Sequence, residues 1–219
     1  MHKTVDIPME KDILFANRKI AEENKNRLRQ YEVKAYDILG SIGSGKTTLI
    51  EKMIDLLSER KIKAGVIAGD VTGDDDYKKF LRHGVWAMNI NTEKECHLDA
   101  RLINHALESI DLSTLDIIFI ENVGNLVCPV DFPLGTEKRV VVISVTEGDD
   151  MVRKHPLIFT QTDFAVLNKI DLAEIIEVDP DVILRDFERV NPHGRIFLTD
   201  AKHDVGTKEL LSALIDDNV

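Results

Sequence analysis

The chain has 219 residues, 43% of them hydrophobic, which suits one α/β domain with a sizeable core, with room for an appendage. A formal net charge of −11 argues against a broad nucleic-acid surface, but not against one anion held in a local loop. No apolar run approaches the ~20 residues that cross a bilayer, and the polar start "MHKTVDIPMEKDI" has no apolar leader core. A cytoplasmic protein with no membrane or nucleic-acid partner is expected.

The predicted elements begin with a charged stretch over 9–33, whose sparse apolar positions (Ile13, Leu14, Ile20, Leu28) have rough helical spacing. Residues 1–33 therefore read as an N-terminal helical arm, weakly tied to the rest of the chain. From residue 34 the pattern alternates. Strands are predicted at 34–39, 63–68, 85–90, 115–121, 139–145, 164–168 and 195–199. Helices are predicted at 46–60, 74–83, 97–110, 180–190 and 207–216. Several strands are continuous apolar runs, as expected when helices cover both faces of a parallel sheet. The alternation predicts a doubly wound, mostly parallel α/β fold over 34–219, with its ligands outside the carboxyl ends of the strands.

"GSIGSGKT", from Gly40 to Thr47, matches G-x-x-x-x-G-K-[ST] at every fixed position, between a predicted strand and a predicted helix. Its glycines let the backbone curl so that successive N–H groups face an anion, and the helix N-terminus adds partial positive charge. Gly43, Ser44, Gly45, Lys46, Thr47 and Thr48 are the expected phosphate binders. Lys46 reaches the β- and γ-phosphates, and the Thr47 hydroxyl is available to Mg²⁺. Asn168-Lys169-Ile170-Asp171 ends a later predicted strand and has the N-K-x-D pattern of GTPases. The Asp171 carboxylate suits the paired donors of guanine, Lys169 lies along the base, and Asn168 braces the loop. In "DAK" (200–202), Ala201 offers a backbone N–H to guanine O6.

Three acids sit at or near strand ends: Asp70, Asp76 and Glu121. Mg²⁺ favours hard oxygen ligands, so Thr47, Asp76 and Glu121 form its expected set. Asp70 is the candidate to position the attacking water, beside Lys46 as the second catalytic candidate. Asp74 and Asp75 read as solvated loop charge. No arginine finger is evident within the chain, so slow intrinsic GTP hydrolysis is expected.

The chain's two cysteines, Cys96 and Cys128, are a poor bet for a cytosolic disulfide. They are either ordinary buried thiols or a metal pair with His97, a donor set suited to Zn²⁺ or Ni²⁺. Cys96 and His97 sit at the mouth of a predicted helix, which would lower the thiol pKa. His105, eight residues beyond His97, is about 12 Å further along a helix, so it is a candidate for a neighbouring ion or for packing.

"GSIGSGKT", "KECHLDA", "FIENVGNLVCPVDFPLG", "VTEGDD", "KHP" and "LNKIDL", in that order, resemble the nickel-incorporation GTPases of nickel–iron hydrogenase maturation, the HypB family. The resemblance covers 34–219. It implies a P-loop G domain of the signal-recognition, MinD and BioD (SIMIBI) group, GTP hydrolysis to GDP, and GTP-dependent homodimerisation. It implies a Ni²⁺ or Zn²⁺ site at the dimer interface held by Cys96, His97 and Cys128, and Mg²⁺ carboxylates at Asp76 and Glu121. Lys154 would reach towards the partner's nucleotide. The implied partners are a hydrogenase large subunit and a second nickel-binding maturation factor. The chain departs from family patterns in four places. Its N-terminal region has only His2 and no cysteine, Arg101 stands one turn past His97, Glu93 replaces a usual glycine, and the phosphate loop lacks the early lysine of MinD-type members. The alternatives are a urease-type nickel-incorporation GTPase, whose nickel pair is Cys-Pro-His, and a zinc-binding module with a structural nucleotide. Asp171→Asn is expected to move preference from guanosine towards xanthosine triphosphate; unchanged guanine selectivity in a nucleotide competition would show that Asp171 does not read the base.

Overall fold

Apolar runs separated by amphipathic stretches fold as their periodicity dictates. The computed structural model describes residues 6–92 and 95–216, with side chains from Lys11 onward; His2 and Glu93 lie outside the described residues. The chain forms α1 (Asp6–Gln30), β1 (Lys34–Gly40), α2 (Lys46–Glu59), β2 (Ala64–Asp70), α3 (Asp75–Arg82), β3 (Trp86–Asn91) and α4 (Ala100–Glu108). There follow β4 (Ile117–Glu121), β5 (Lys138–Ser144), α5 (Met151–Lys154), α6 (Pro156–Thr160), β6 (Phe164–Asn168), α7 (Pro180–Val190), β7 (Arg195–Leu198) and α8 (Thr207–Ile215).

The strands form one seven-stranded sheet in the order β3-β2-β4-β1-β5-β6-β7, and every pairing is parallel. This is the doubly wound α/β fold. The central strands β1, β4 and β5 are buried along almost their whole length, so both faces read apolar. One face packs on α2 and α8 through residues such as Leu49, Met53, Phe119 and Leu211. The other divides into one cluster with Phe159, Ile183 and Phe187, and another with Leu98, Ile103 and Leu28. β1 lies between β4 and β5, where the winding reverses. The loop leaving its carboxyl end therefore opens at the switch point, the expected ligand position.

Three local readings change. The helix expected over 97–110 begins at Ala100, because the Asp99 carboxylate accepts the Leu102 N–H at 2.8 Å and caps it there. Cys96 and His97 thus lie in the turn ahead of α4. The segment 151–160, not predicted as helical, holds the short α5 and α6. The N-terminal helix is not loosely attached: Asn17, Ala21, Asn24 and Leu28 are buried on one face, against α4 and the segment before β5.

His83, just past α3, ties that helix to α2, contacting Asp55 at 2.7 Å and Glu51 at 3.1 Å. Burial pushes its pKa down, but the two carboxylates outweigh this and raise it above the usual value. The stabilisation is therefore complete below about pH 6.5 and fades as pH rises through the raised folded value. His83→Gln is expected to lower stability by up to about 1 kcal/mol at pH 6 and by much less at pH 8.5, read from urea midpoints; equal losses at both pH values would exclude the ion pairs.

Candidate nucleotide and metal site

The phosphate loop leaves β1 at Gly40 and closes at Gly45, the N-cap of α2. Lys46 Nζ donates to the Gly40 and Ser41 carbonyls at 3.1 and 3.0 Å, so its ammonium lies in the concavity of the loop. Burial depresses the Lys46 pKa, while Glu121, Asp76 and Glu147 pull it back. Thr47 Oγ1 donates to Glu121 Oε1 at 2.9 Å. Glu121 ends β4, is 5% exposed, and its Oε2 is buried without a hydrogen-bond partner among the described residues. Burial pushes its pKa up to about 7 against the pull of Lys46. A buried carboxylate oxygen with no donor beside a threonine hydroxyl is the arrangement a hard divalent cation fits.

Asp70, at the end of β2, and Asp76, in the first turn of α3, line the same cleft of about 480 Å³ as Lys46, Thr47, Thr48 and Glu121. Asp76 pairs with Lys79 at 2.7 Å, and an Asp70 oxygen accepts the Val71 N–H at 2.6 Å.

An adjoining cleft of about 320 Å³ is lined by Asn168, Lys169, Asp171, Ala201 and Lys202, and shares Gly45, Thr48 and Lys169 with the first. Asn168 braces the two clefts together. Its Nδ2 donates to the Ser44 carbonyl at 2.9 Å, and its Oδ1 accepts from Thr199 Oγ1 at 3.0 Å and from the Ala201 N–H at 3.1 Å. The N–H that the sequence reading offered to guanine O6 therefore already has a protein acceptor. Lys169 Nζ donates to the Gly43 carbonyl at 2.7 Å. Asp171 lies at the exposed rim, near Asp200 and His203. Lys154 pairs with Asp150 at 2.6 Å on α5, outside both clefts of its own chain.

The second part of the site is built from two loops. Ligand atoms of Cys96, His97 and Cys128 all lie within 4.8 Å of one another. Cys96 Sγ is 3.8 Å from His97 Nδ1, and the imidazole packs on Phe132 with ring centroids 4.0 Å apart. Burial and Cys128 raise the Cys96 thiol pKa, reversing the lowering expected from a helix N-terminus, since α4 begins four residues later. Burial lowers the His97 pKa, which favours the neutral, ligating imidazole. His105 does not join this group: its side chain is 89% exposed and faces Glu108 at 3.5 Å. It neither packs in the core nor adds a donor to the cluster.

Residues 34–198 match the family model "CobW/HypB/UreG, nucleotide-binding domain". The chain is 48% identical over 211 residues to the "Probable hydrogenase maturation factor HypB" of Methanocaldococcus jannaschii, covering 96% of this chain and 95% of that protein. This chain belongs to the HypB family. The crystal structure of HypB from Archaeoglobus fulgidus superposes with a TM-score of 0.85 at 45% identity, over 91% of this chain and 97% of that one. That of HypB from Helicobacter pylori in complex with nickel gives 0.87 at 32% identity, over 92% and 94%.

Two parts of this HypB-family site escaped the sequence reading. Glu147 bonds the Ser41 hydroxyl and the Ser144 N–H, locking the phosphate loop to the turn after β5; its only signal was "VTEGDD" as a resemblance. Asn125 forms an isolated bridge with Gly40, and its Oδ1 accepts the Val127 and Cys128 N–H groups at 2.7 and 3.3 Å. Gly45 has φ +99°, and a Cβ there would meet Asn168 Nδ2 at 2.2 Å. Gly45→Ala is thus expected to reduce GDP affinity by at least about 100-fold with an intact circular dichroism spectrum, since both the left-handed turn and the Asn168 brace are lost; near-wild-type affinity would overturn this view of the loop.

Proposed function

We propose that this HypB-family chain is a GTP-hydrolysing metallochaperone that delivers nickel during nickel–iron hydrogenase maturation. The observation that carries the reading is the continuity of one segment. Glu121 lies on the floor of the phosphate cleft, and Cys128, seven positions later, lies in the thiol–imidazole cluster. Between them Gly124 runs against the phosphate loop so closely that a Cβ would meet the Ile42 side chain at 2.3 Å.

In this reading Thr47, Asp76 and Glu121 would hold Mg²⁺, which would neutralise phosphate charge during hydrolysis. Lys46 follows the β- and γ-phosphates, and Asp70 orients the attacking water. Asn168, Lys169 and Asp171 hold the guanine, with Ala201 keeping Asn168 in place. Two thiols and an imidazole suit Ni²⁺ or Zn²⁺ and leave a fourth position for water or for a group from a second copy of the chain. The exposed Ile42 and Val127 flank the two centres, so a homodimer formed on this face would cover both, with Lys154 reaching across it. The metal then passes to a hydrogenase large subunit, with a second nickel-binding maturation factor as co-partner.

Reciprocal linkage is the test. With Mg²⁺ present, nickel affinity is expected to differ by at least about fivefold between the GDP form and a non-hydrolysable GTP analogue form, and the analogue form is expected to elute as a dimer. Equal nickel affinities in the two forms would sink the coupling. Single-turnover GTP hydrolysis is expected to fall by at least about 100-fold in Lys46→Ala; negligible wild-type turnover would leave a metal-binding module with a structural nucleotide.

A further inference from the structure

We infer that the N-terminal helix α1 is a positioning element for the thiol–imidazole cluster, its Asn17 and Asn24 stapling together the two chain segments that carry the ligands. The inference rests on the metal-binding reading above.

The ligands come from separate connections, Cys96 and His97 from the one between β3 and α4, Cys128 from the one between β4 and β5. On the sheet side these connections meet through one buried network. Asn122 Oδ1 accepts the Leu98 N–H at 3.0 Å, and its Nδ2 donates to Asp37 at 3.0 Å. Asp37 faces Arg139 at 3.3 Å, and Arg139 donates to the Val130 and Phe132 carbonyls.

On the other side they meet through α1. Asn17 Oδ1 accepts the Ala100 N–H at 2.8 Å, while its Nδ2 donates to the Pro133 carbonyl at 2.9 Å. Asn24 Nδ2 donates to the Ala100 and Leu134 carbonyls at 2.8 and 3.0 Å, and its Oδ1 accepts from Asn104 at 2.9 Å. Both polar groups of Ala100, three residues after His97, are thus held by α1. The same two asparagines hold the segment that starts five residues after Cys128. Seven residues apart, they share one helix face.

Leucines at these positions would dock the helix by burying apolar area. A buried amide adds little net affinity, and costs free energy wherever a polar atom lacks a partner. What it adds is direction, because each bond fixes a particular peptide. Gly135 supports the contact: at φ +91°, a Cβ there would meet the Ala21 carbonyl oxygen at 2.1 Å, so only glycine lets this segment lie against α1. Ligand geometry at a metal depends on such outer contacts.

The experiment uses the full chain loaded with GDP and compares Asn24→Ala with two independent routes to the same loosening, Asn104→Ala and Gly135→Ala. Ni²⁺ and Zn²⁺ affinities are read by chelator competition, together with the thiolate-to-nickel charge-transfer band. In the metal-free protein, the rate at which dibromobimane cross-links Cys96 to Cys128 reports how closely the thiols are held. Asn24→Ala is expected to lose about tenfold or more in metal affinity and to cross-link more slowly, with GDP affinity within about twofold of wild type. Wild-type metal affinity and cross-linking in the folded variants would overturn the inference, as would a parallel fall in GDP affinity. Cys96→Ser and Cys128→Ser separate the two readings. If wild type binds metal no better than they do, the metal reading fails, while the cross-linking rate still reports on the grip of α1.

Discussion

The segment from Glu121 to Cys128 has to meet two positional demands at once, because its ends lie in the phosphate cleft and in the thiol–imidazole cluster. At one end a buried carboxylate takes the Thr47 hydroxyl on the cleft floor. At the other, the Asn125 side chain accepts the backbone N–H of Cys128. Between them the chain crosses the mouth of the phosphate loop by a glycine contact and the Gly40–Asn125 bridge. The two centres are thus joined through close-packed backbone.

Burial decides most of the electrostatics. Asp37 is fully buried, and burial raises its pKa even with Arg139 and Asn122 opposing. Replacing such a pair by apolar residues is often neutral for stability. Its consequence here is register: one carboxylate links β1, β5 and the turn after β4, and through them the loops that carry Cys96, His97 and Cys128. The same logic applies at Glu121, whose raised pKa reflects a carboxylate placed where a cation would restore its charged form. The chain is strongly acidic as a whole, yet Lys46, Lys79 and Lys169 converge on one cleft beside Asp70, Asp76 and Glu121, which sets cationic groups suited to an anion next to carboxylates suited to a cation.

The nucleotide-type loop was legible because it is contiguous and an anion loop needs particular residue types at fixed short spacing; the structure sets Asn168 against that loop through the Ser44 carbonyl. The parallel sheet was legible because strands buried on both faces read as unbroken apolar runs. The tight packing of α1 was hidden. Its buried face is Asn17, Ala21, Asn24 and Leu28, and two asparagines in a buried stripe erase the hydrophobic signal; the apolar Ile13, by contrast, is 54% exposed. The start of α4 was misplaced because apolar periodicity runs on through Leu98, whereas Asp99 caps the helix one residue later. Glu147 and Asn125 were passed over because their partners, Ser41 and Gly40, are far away in sequence.

By itself the sequence determined the class of fold and pointed to a nucleotide, since both follow from local patterns: a glycine-bounded anion loop and alternating apolar runs. Only the tertiary structure decided that Cys96, His97 and Cys128 converge while His105 stays out, and that α1 joins their two loops. Those outcomes depend on which of many compatible contacts close simultaneously. Long-range hydrogen bonds between a side chain and a distant peptide leave no periodic trace in the chain that makes them.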